Sequence, residues 1–347
     1  MFRRFPLALQ LFLAFAFFGA FIRADEPAKG DAKAPATTPK KDPEKQPAKE
    51  KSTDRFMRVR RNDKGNPVAM ETAVTSYVSA NDSKPGVTVD LIGAVHVGEK
   101  SYYDDLNQLF DTYDVVLYEL VAPQGTVVNK EARTKGASTH PIGLLQDGMK
   151  SMLGLEHQLD CIDYTKKNFM HADMSPDEFN KSMTDRGESF MKMFLKMMGQ
   201  GMAQQQKGDG GGDAALLMAL FSRDRNLKLK IAMAEQLENA ESQLDILGGP
   251  EGSTIISERN KKALEVLTKE LAAGKKKIGI FYGAGHFADM QERLLKDFVL
   301  KRNSEKWLVA WSLERAAPKK EEPKAEPKAE PKKAESKKDE PKAAEKK

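Results

Sequence analysis

The sequence predicts an α/β protein in which a mixed, largely parallel sheet is built from βαβ units at both ends of a folded core, with a helical insert between them. Near the start of the core, the β-branched segment Val87–Ile92 leads into residues with helical spacing and then into a second apolar segment, Val115–Val121. Near the end of the core, Lys277–Tyr282 is followed by a helical pattern over Phe287–Lys301 and by a last strand-like segment, Lys306–Leu313. Alternation of strand and helix at both ends is typical of a sheet with parallel strands.

The first βαβ unit is indicated by the segment that joins its two strands. Pro85 and Gly86 precede the first strand and Gly93 follows it, as turn residues do at strand ends. Apolar and aromatic residues of the connection recur at the spacing of one helix face: Tyr102, Leu106, Leu109, Phe110 and Tyr113. The unit takes about thirty-five residues, a length typical of a βαβ crossover. We therefore expect its two strands to be parallel and close to each other.

Strand-like segments also open the core, which we assign to residues 55–315. Arg55–Arg60 and Val68–Ser79 are separated by a turn containing Asn, Asp, Gly and Pro, which predicts two paired strands. Toward the other end, Ser257–Ala273 has a strong helical pattern that ends at Gly274.

The insert, at about residues 140–250, has a helical pattern. Ser175–Glu178 has the sequence of a capping box with proline at the first helical position. Large apolar side chains further on form one helical stripe: Phe190, Met193, Phe194, Met197, Met198 and Met202. Such a stripe is more often part of the core or a contact between subunits of a homo-oligomer than a surface that binds a flexible partner or lipid. Gly208–Gly212 predicts a mobile loop.

The amino terminus has the features of a secretory signal peptide over residues 1–24. Two arginines lie near the start, Leu7–Ile22 is almost wholly apolar, and Ala24 is a small residue suited to cleavage. The alternative is an uncleaved anchor, but the apolar run is shorter than the ~20 residues that a spanning helix needs, and it contains Gln10. We therefore expect an exported protein, whether periplasmic, envelope-associated or secreted.

Two charged segments that contain proline flank the core, at residues 25–54 and 316–347. Both lack large apolar residues and cannot bury enough surface to offset the entropy of ordering, so we expect them to be disordered. A solvated linker is the simplest role; tethering to the cell wall or to nucleoid-like polyanions is the alternative. Of the formal charge of +5, the signal-like segment carries +3, the linker 0 and the tail +3, which leaves −1 for the core. No nucleic-acid site is therefore expected on the core.

Two segments of the core share one pattern, Gly-x-x-His directly after a predicted strand and before a helix. Gly93 to His96 follows the first strand, and Gly283 to His286 follows the strand Lys277–Tyr282. In open α/β sheets ligands bind beyond the carboxyl ends of the strands, and glycine lets the backbone turn sharply and approach a ligand closely. Glu119, near the end of the intervening strand, would join both imidazoles there. Two histidines and a carboxylate suit a metal ion or acid–base chemistry.

Each of these residues also has a simpler interpretation. A histidine at the end of a strand is usually a hydrogen-bonded polar residue, and one Gly-x-x-His alone is a weak signal. Two copies at equivalent places favour the functional interpretation. Glu119 lies within an apolar run, where an unpaired carboxylate is costly, so we expect a positive partner such as Arg259 or a metal ion.

Other candidates are weaker. His171 and Asp173 precede the predicted capping box and could add ligands, although local capping is the commoner role of such residues. His140 and His157 are interpreted as structural. Cys161, the single cysteine, excludes an internal disulfide and lies too far from the signal-like segment for a lipoprotein. The chain contains no His-Glu-x-x-His, Gly-x-Ser-x-Gly or Walker-type motif, which excludes the commonest zinc protease, serine hydrolase and nucleotide-binding signatures.

With these motifs the sequence resembles the TraB/PrgY/TIKI superfamily, also described with GumN-like proteins and related in fold to erythromycin esterase and the haem-binding ChaN proteins. Four segments carry the resemblance: Gly93-Ala-Val-His96-Val-Gly98, Tyr113-Asp-Val-Val-Leu-Tyr-Glu119, Glu258-Arg259-Asn260 and Gly283-Ala-Gly-His286. The resemblance covers most of residues 87–315; the Met- and Gly-rich insert and the charged tails depart from it.

The resemblance to the TIKI branch implies a metal-dependent protease. By position it implies that His96, Glu119 and His286 form the active site with Arg259 in support, and that Gly93, Gly283, Gly285 and Asn260 belong to the supporting motifs. A divalent ion, with Mn, Co or Zn as possibilities, and a peptide or small-molecule substrate would follow. Glu119 would be a further ligand or the base that activates water, and Arg259 would orient it or stabilise an oxyanion.

Two alternatives belong to other functional classes. The first is a non-catalytic envelope protein that binds and sequesters a peptide or haem in the same crevice. The second is a structural envelope protein whose charged tails carry the function.

Overall fold

The computed structural model describes residues 55–81, 83–126, 128, 153–189, 192, 218–219, 221–248 and 252–315. All of the described elements belong to one unit of the chain, which ends at Glu314. The predicted signal peptide, linker and tail lie outside the described residues, as do His140, the Phe and Met stripe and the Gly-rich loop. Within the described ranges, no helix is both long enough and apolar enough to cross a membrane.

The described elements alternate between strand and helix. The strands are β1 (Met57–Arg61), β2 (Pro67–Ser79), β3 (Thr88–Ala94), β4 (Val97–Gly98), β5 (Val115–Tyr118), β6 (Glu156–His157), β7 (Phe169–His171), β8 (Lys277–Gly283) and β9 (Leu300–Ser312). The helices are α1 (Lys100–Phe110), α2 (Gln158–Cys161), α3 (Pro176–Asp185), α4 (Arg225–Gly248), α5 (Arg259–Ala272) and α6 (Phe287–Lys296). A π-helical turn, Thr254–Glu258, precedes α5, and a 3-10 turn, Ala284–His286, precedes α6.

The main sheet has the strand order β1-β2-β3-β8-β5-β7, and β9 pairs with the long strand β2. β2 is antiparallel to β1, β3 and β9, whereas β3, β8, β5 and β7 run parallel to one another. The predicted fold class, a mixed and largely parallel α/β sheet, is therefore confirmed. The predicted strands near residues 87–92, 115–121 and 277–282 do belong to one sheet.

The two strands of the first βαβ unit are parallel, but they are not adjacent, because β8 lies between β3 and β5. Gly279 of β8 makes this arrangement possible. A Cβ atom there would lie 2.9 Å from Ile92 Cδ1 and 3.4 Å from the ring of Tyr113, so only glycine leaves room for these two side chains. The insertion of a strand from almost two hundred residues away is a long-range packing choice that local periodicity cannot show.

The described part of the insert is not purely helical, which corrects the sequence-based prediction. Phe169–His171 forms β7, a parallel edge strand beside β5, and Glu156–His157 pairs with β4. Strands of two or three residues are too short to produce a recognisable alternation of apolar and polar side chains. The capping box of α3 is present, with Ser175 and Glu178 each bonding the other's backbone N–H.

Two boundaries near the functional residues also differ from the predictions. β5 ends at Tyr118 rather than at Val121, so Glu119 lies just beyond the strand. The last helix ends at Lys296, and β9 begins at Leu300 instead of Lys306. Val299 in this short connection has φ of 55°, a left-handed conformation that reverses the chain abruptly between helix and strand.

Candidate functional site

The predicted site residues meet at the carboxyl ends of the parallel strands. β3 and β8 are parallel neighbours, with Gly93 opposite Tyr282 and Ala94 opposite Gly283. Both Gly-x-x-His segments therefore leave the sheet at the same edge, as the sequence predicted. His96 follows β3 by two residues, and His286 ends the 3-10 turn after β8.

Glu119 is the central acidic residue of this edge, with a side chain only 10% exposed. Its Oε1 accepts a hydrogen bond from Arg259 Nη2 at 2.7 Å, and its Oε2 accepts one from the backbone N–H of Gly283 at 2.6 Å. Burial by itself would raise the pKa of this carboxyl, but the charges of Arg259, His286 and His96 and the Gly283 hydrogen bond lower the pKa to about 2. Glu119 is therefore a carboxylate at any physiological pH.

Arg259 is the positive partner that the sequence predicted for Glu119. Its side chain is 3% exposed, and it also binds Asp173, with Nε 3.0 Å from Oδ1 and Nη2 2.6 Å from Oδ2. The geometry is bidentate, the strongest arrangement of guanidinium and carboxylate. Asp173, which the sequence offered as a weaker candidate for a metal ligand, therefore binds Arg259. Its Oδ1 also accepts a hydrogen bond from the N–H of Met174. The buried triad carries a net charge of −1.

The position of Arg259 depends on the turn that precedes α5. Gly252 has φ of +73°, and a Cβ atom there would lie 2.3 Å from Ser257 Oγ, so the turn requires glycine. Ser253 then caps the π-helical turn by accepting the N–H of Ile256 at 3.2 Å. These contacts fix the helix start at which Arg259 and Asn260 point into the protein, 3% and 0% exposed.

His286 lies beside Glu119, with Nε2 3.6 Å from Oε1. Its other ring nitrogen, Nδ1, is 2.6 Å from Asn260 Oδ1, and its ring packs edge-on against Tyr282 with centroids 5.3 Å apart. Burial lowers the pKa of His286, and although Glu119 opposes the shift, the pKa is about 4. The imidazole is therefore neutral near pH 7.

His96 and His171 occupy the flanks of this arrangement. His96 is half-buried, and its charge is among those that lower the pKa of Glu119, which places it in the same electrostatic environment. His171, at the end of β7, donates from Nε2 to the carbonyl of Leu120 at 2.6 Å. Through this bond His171 holds Leu120, the residue that follows Glu119. His157 lies opposite Val97, where β6 pairs with β4.

The motif glycines serve packing more than backbone turning, which corrects the sequence-based interpretation. Neither Gly93 nor Gly283 has a positive φ. A Cβ atom at Gly93 would lie 3.1 Å from Thr72 Cβ, so this glycine allows β3 to approach β2. A Cβ atom at Gly283 would lie 3.4 Å from Glu119 Oε2, so this glycine leaves space beside the carboxylate. Gly285 lies within the 3-10 turn.

Sequence reasoning missed Asp289, which lies in the first turn of α6 and accepts a hydrogen bond from Asn260 Nδ2 at 2.8 Å. An acidic residue three positions after the second motif histidine was the available signal. Sequence reasoning also missed Tyr282, which donates to the carbonyl of Ala172 and so joins β8 to the segment that carries Asp173.

Within the part of the chain that the structure describes, no group of three or more His, Cys, Asp or Glu side chains is arranged as a metal site. Comparison with protein families, with characterised proteins and with solved structures gave no match. The resemblance to the TraB/PrgY/TIKI superfamily therefore rests on the motifs alone.

Proposed function

We propose that this chain is an exported, metal-dependent hydrolase that cleaves a peptide or a small peptide-like molecule. The observation that carries the proposal is the pairing of Glu119 with His286. A carboxylate held in its charged form and an imidazole held neutral face each other at the carboxyl edge of a parallel sheet, the usual position of ligand sites in such folds.

The distance between the two side chains fits a shared cation better than a hydrogen bond. The 3.6 Å separation of Nε2 and Oε1 is too long for a hydrogen bond. Two ligand atoms that each lie about 2.1 Å from a tetrahedral ion are separated by roughly 3.4 Å. The net charge of −1 on the triad of Glu119, Arg259 and Asp173 also favours a cation at this place.

His286 and Glu119 would hold a divalent ion such as Mn²⁺, Co²⁺ or Zn²⁺, and His96, which leaves the sheet at the same edge, would supply a third ligand. When bound, such an ion polarises a carbonyl and lowers the pKa of water, which is the chemistry that amide hydrolysis requires. A pKa near 2 makes Glu119 a poor general base at neutral pH, so the ligand role is favoured over the role of base. Arg259, bonded to both carboxylates, orients Glu119, and this role is favoured over stabilisation of an oxyanion.

The second candidate function is a non-catalytic protein that binds and sequesters a peptide in the same crevice. The observation in its favour is that both oxygens of Glu119 already have donors, Arg259 and the backbone of Gly283. A polar network that is fully satisfied needs no ion to be stable. Haem is the other ligand of this class, but no contact in the described ranges favours it over a peptide.

Calorimetric titration of the chain with Mn²⁺, Co²⁺ and Zn²⁺, followed by incubation of the loaded protein with a mixed peptide library, tests the two functions. We expect tight binding of at least one ion and cleavage that needs it. His96→Ala and His286→Gln should weaken ion binding at least tenfold, because each removes a ligand. Ion uptake unchanged in both variants would reject the metal site; peptide binding without cleavage would support sequestration, and a visible haem spectrum would identify haem as the ligand.

The export and the tails form a separate part of the proposal. Residues 1–24 would direct the chain out of the cytoplasm, and residues 25–54 and 316–347 would carry any association with the envelope or cell wall. Cell fractionation with sequencing of the mature amino terminus tests export, and it distinguishes a cleaved signal from a retained anchor. Binding of purified cell wall by the chain, with and without residues 316–347, tests the association.

A further inference from the structure

The orientation of the Asn260 side-chain amide is determined by its neighbours. The amide nitrogen Nδ2 lies 2.9 Å from the backbone carbonyl of His286 and 2.8 Å from Asp289 Oδ2. A carbonyl and a carboxylate can only accept hydrogen bonds, so the atom facing them must be the NH₂ group. The amide oxygen Oδ1 is then the atom that faces the His286 ring, 2.6 Å from Nδ1.

This orientation decides which nitrogen of His286 carries the hydrogen. The oxygen of Asn260 can only accept, so Nδ1 must donate to it. In a neutral imidazole the other nitrogen then has a free lone pair. Here that nitrogen is Nε2, the atom that faces Glu119 across 3.6 Å. The separation is consistent, since an N–H on Nε2 would be drawn into a shorter hydrogen bond with the carboxylate.

Asp289 is itself held in place. Arg293, one turn further along α6, donates from Nε to Asp289 Oδ2 at 2.8 Å and from Nη2 to Oδ1 at 3.1 Å. Asn260 is 0% exposed, so water does not compete for its amide. A chain of hydrogen bonds therefore runs from the half-buried surface of α6 to the buried imidazole.

We propose that Asn260, oriented by Asp289, is a positioning residue that locks His286 in the Nδ1–H tautomer and keeps the Nε2 lone pair directed at the cation site. The inference rests on the proposed function only for the identity of the group that Nε2 binds, a metal ion. The tautomer itself follows from the hydrogen bonds of Asn260. Histidine ligands of metal ions need such a partner, because the partner fixes both ring orientation and the free nitrogen.

The experiment is a long-range ¹H–¹⁵N NMR spectrum of the metal-free, ¹⁵N-labelled full chain at pH 7, in which the two tautomers give different nitrogen shifts. The ring signals of His286 are assigned by their absence from the spectrum of His286→Gln. We expect Nδ1–H in the unsubstituted protein and in Lys296→Gln, the matched control, because Lys296 lies on the same helix but bonds Glu292 and not Asp289. Asn260→Leu should change the ring to Nε2–H, because a hydrogen on Nδ1 would then be buried without an acceptor. Asp289→Ala should give a mixture.

Metal titration of the same variants is the second readout. Asn260→Leu should bind the ion 10–100-fold more weakly, and the affinity of Asp289→Ala should fall between those of Asn260→Leu and Lys296→Gln. Nε2–H in the unsubstituted protein, or an unchanged tautomer in Asn260→Leu, would overturn the proposal. If Asn260→Leu does not fold, the His286 tautomer measured in the unsubstituted protein and in Asp289→Ala tests the proposal. Because the tautomer is measured without metal, failure of any ion to bind would reject the proposed function alone.

Discussion

The backbone N–H of Gly283 donates to Oε2 of Glu119 at 2.6 Å, which joins the second Gly-x-x-His motif directly to the acidic residue at the end of β5. This contact comes from the backbone, so its chemical role belongs to this position of the motif and does not require glycine. It stabilises the charged form of Glu119 and fixes the carboxylate 3.6 Å from the imidazole of His286. The site is therefore assembled by the pairing of β5 with β8.

Glu119→Gln should reduce metal affinity at least tenfold, because the amide keeps the shape of the side chain and loses the charge that a divalent ion requires. If Glu119 were only a base, the ion would stay bound and cleavage alone would be lost. Glu71→Gln is the matched control, because Glu71 is likewise a buried glutamate paired with arginine. Its partners are Arg58 and Arg60, and it lies on β2, outside the proposed metal site. Calorimetric titration of both variants measures the difference.

Arg259→Gln should lower the free energy of unfolding by about 3–5 kcal/mol, because it leaves Glu119 and Asp173 buried without a compensating charge. Addition of Asp173→Asn should recover part of the loss, since one of the two carboxylates is then neutral. Urea unfolding of the single and double variants measures both effects. A double variant no more stable than Arg259→Gln would show that the two charges are not coupled.

The stability of the protein should fall as the pH falls, in two windows. The folded-state pKa of His286 is about 4 against an ordinary value of 6.5, so the unfolded chain takes up a proton first and stability falls from about pH 6.5 to pH 4. The folded-state pKa of Glu119 is about 2 against 4.5, so its contribution, complete above pH 4.5, is lost toward pH 2.

His286→Gln should remove the first window and narrow the second, because the charge of His286 no longer helps to lower the pKa of Glu119, whereas that of Arg259 still does. Thermal unfolding between pH 8 and pH 3 measures this, with the unsubstituted protein as reference. The His286 shift corresponds to about 3 kcal/mol between pH 6.5 and pH 4. A variant that loses stability as steeply as the unsubstituted protein in this range would contradict the assignment.

Two glycines near the site should respond differently to alanine. Gly252→Ala should destabilise the protein by about 1–3 kcal/mol, because its φ is +73° and the new Cβ would overlap Ser257. Gly283→Ala should cost less than about 1 kcal/mol, since its φ is −54° and the new Cβ would lie 3.4 Å from Glu119 Oε2. The added methyl group should nevertheless weaken metal binding, because it occupies the space between Glu119 and His286. Chemical denaturation and metal titration separate the two outcomes.

Residues 55–315 should fold and bind metal without the flanking segments. The physical reason is that residues 25–54 and 316–347 lack the apolar side chains needed to contribute to a core. Circular dichroism and metal titration of a chain truncated to 55–315 measure both properties. A truncated chain that fails to fold, or folds and no longer binds metal, would show that the tails contribute to the structure or the site.

The chemistry of the site residues and their order along the strands were readable from the sequence. Gly-x-x-His after two buried strands predicted that His96 and His286 leave one sheet edge, because the carboxyl ends of parallel strands share an edge. A glutamate in an apolar run predicted a positive partner, because a buried carboxylate without one is too costly, and Arg259 is that partner.

Long-range packing decided the rest. No local pattern indicated that β8 separates β3 from β5 or that three residues of the insert form β7. Nor did one indicate that Arg259 binds both Asp173 and Glu119. Each of these depends on contacts between segments tens to hundreds of residues apart, whose geometry is fixed only when the whole sheet is assembled. The sequence by itself therefore determined which side chains could do chemistry at this edge, whereas the tertiary structure decided which of them touch, which are charged and which nitrogen of His286 is free.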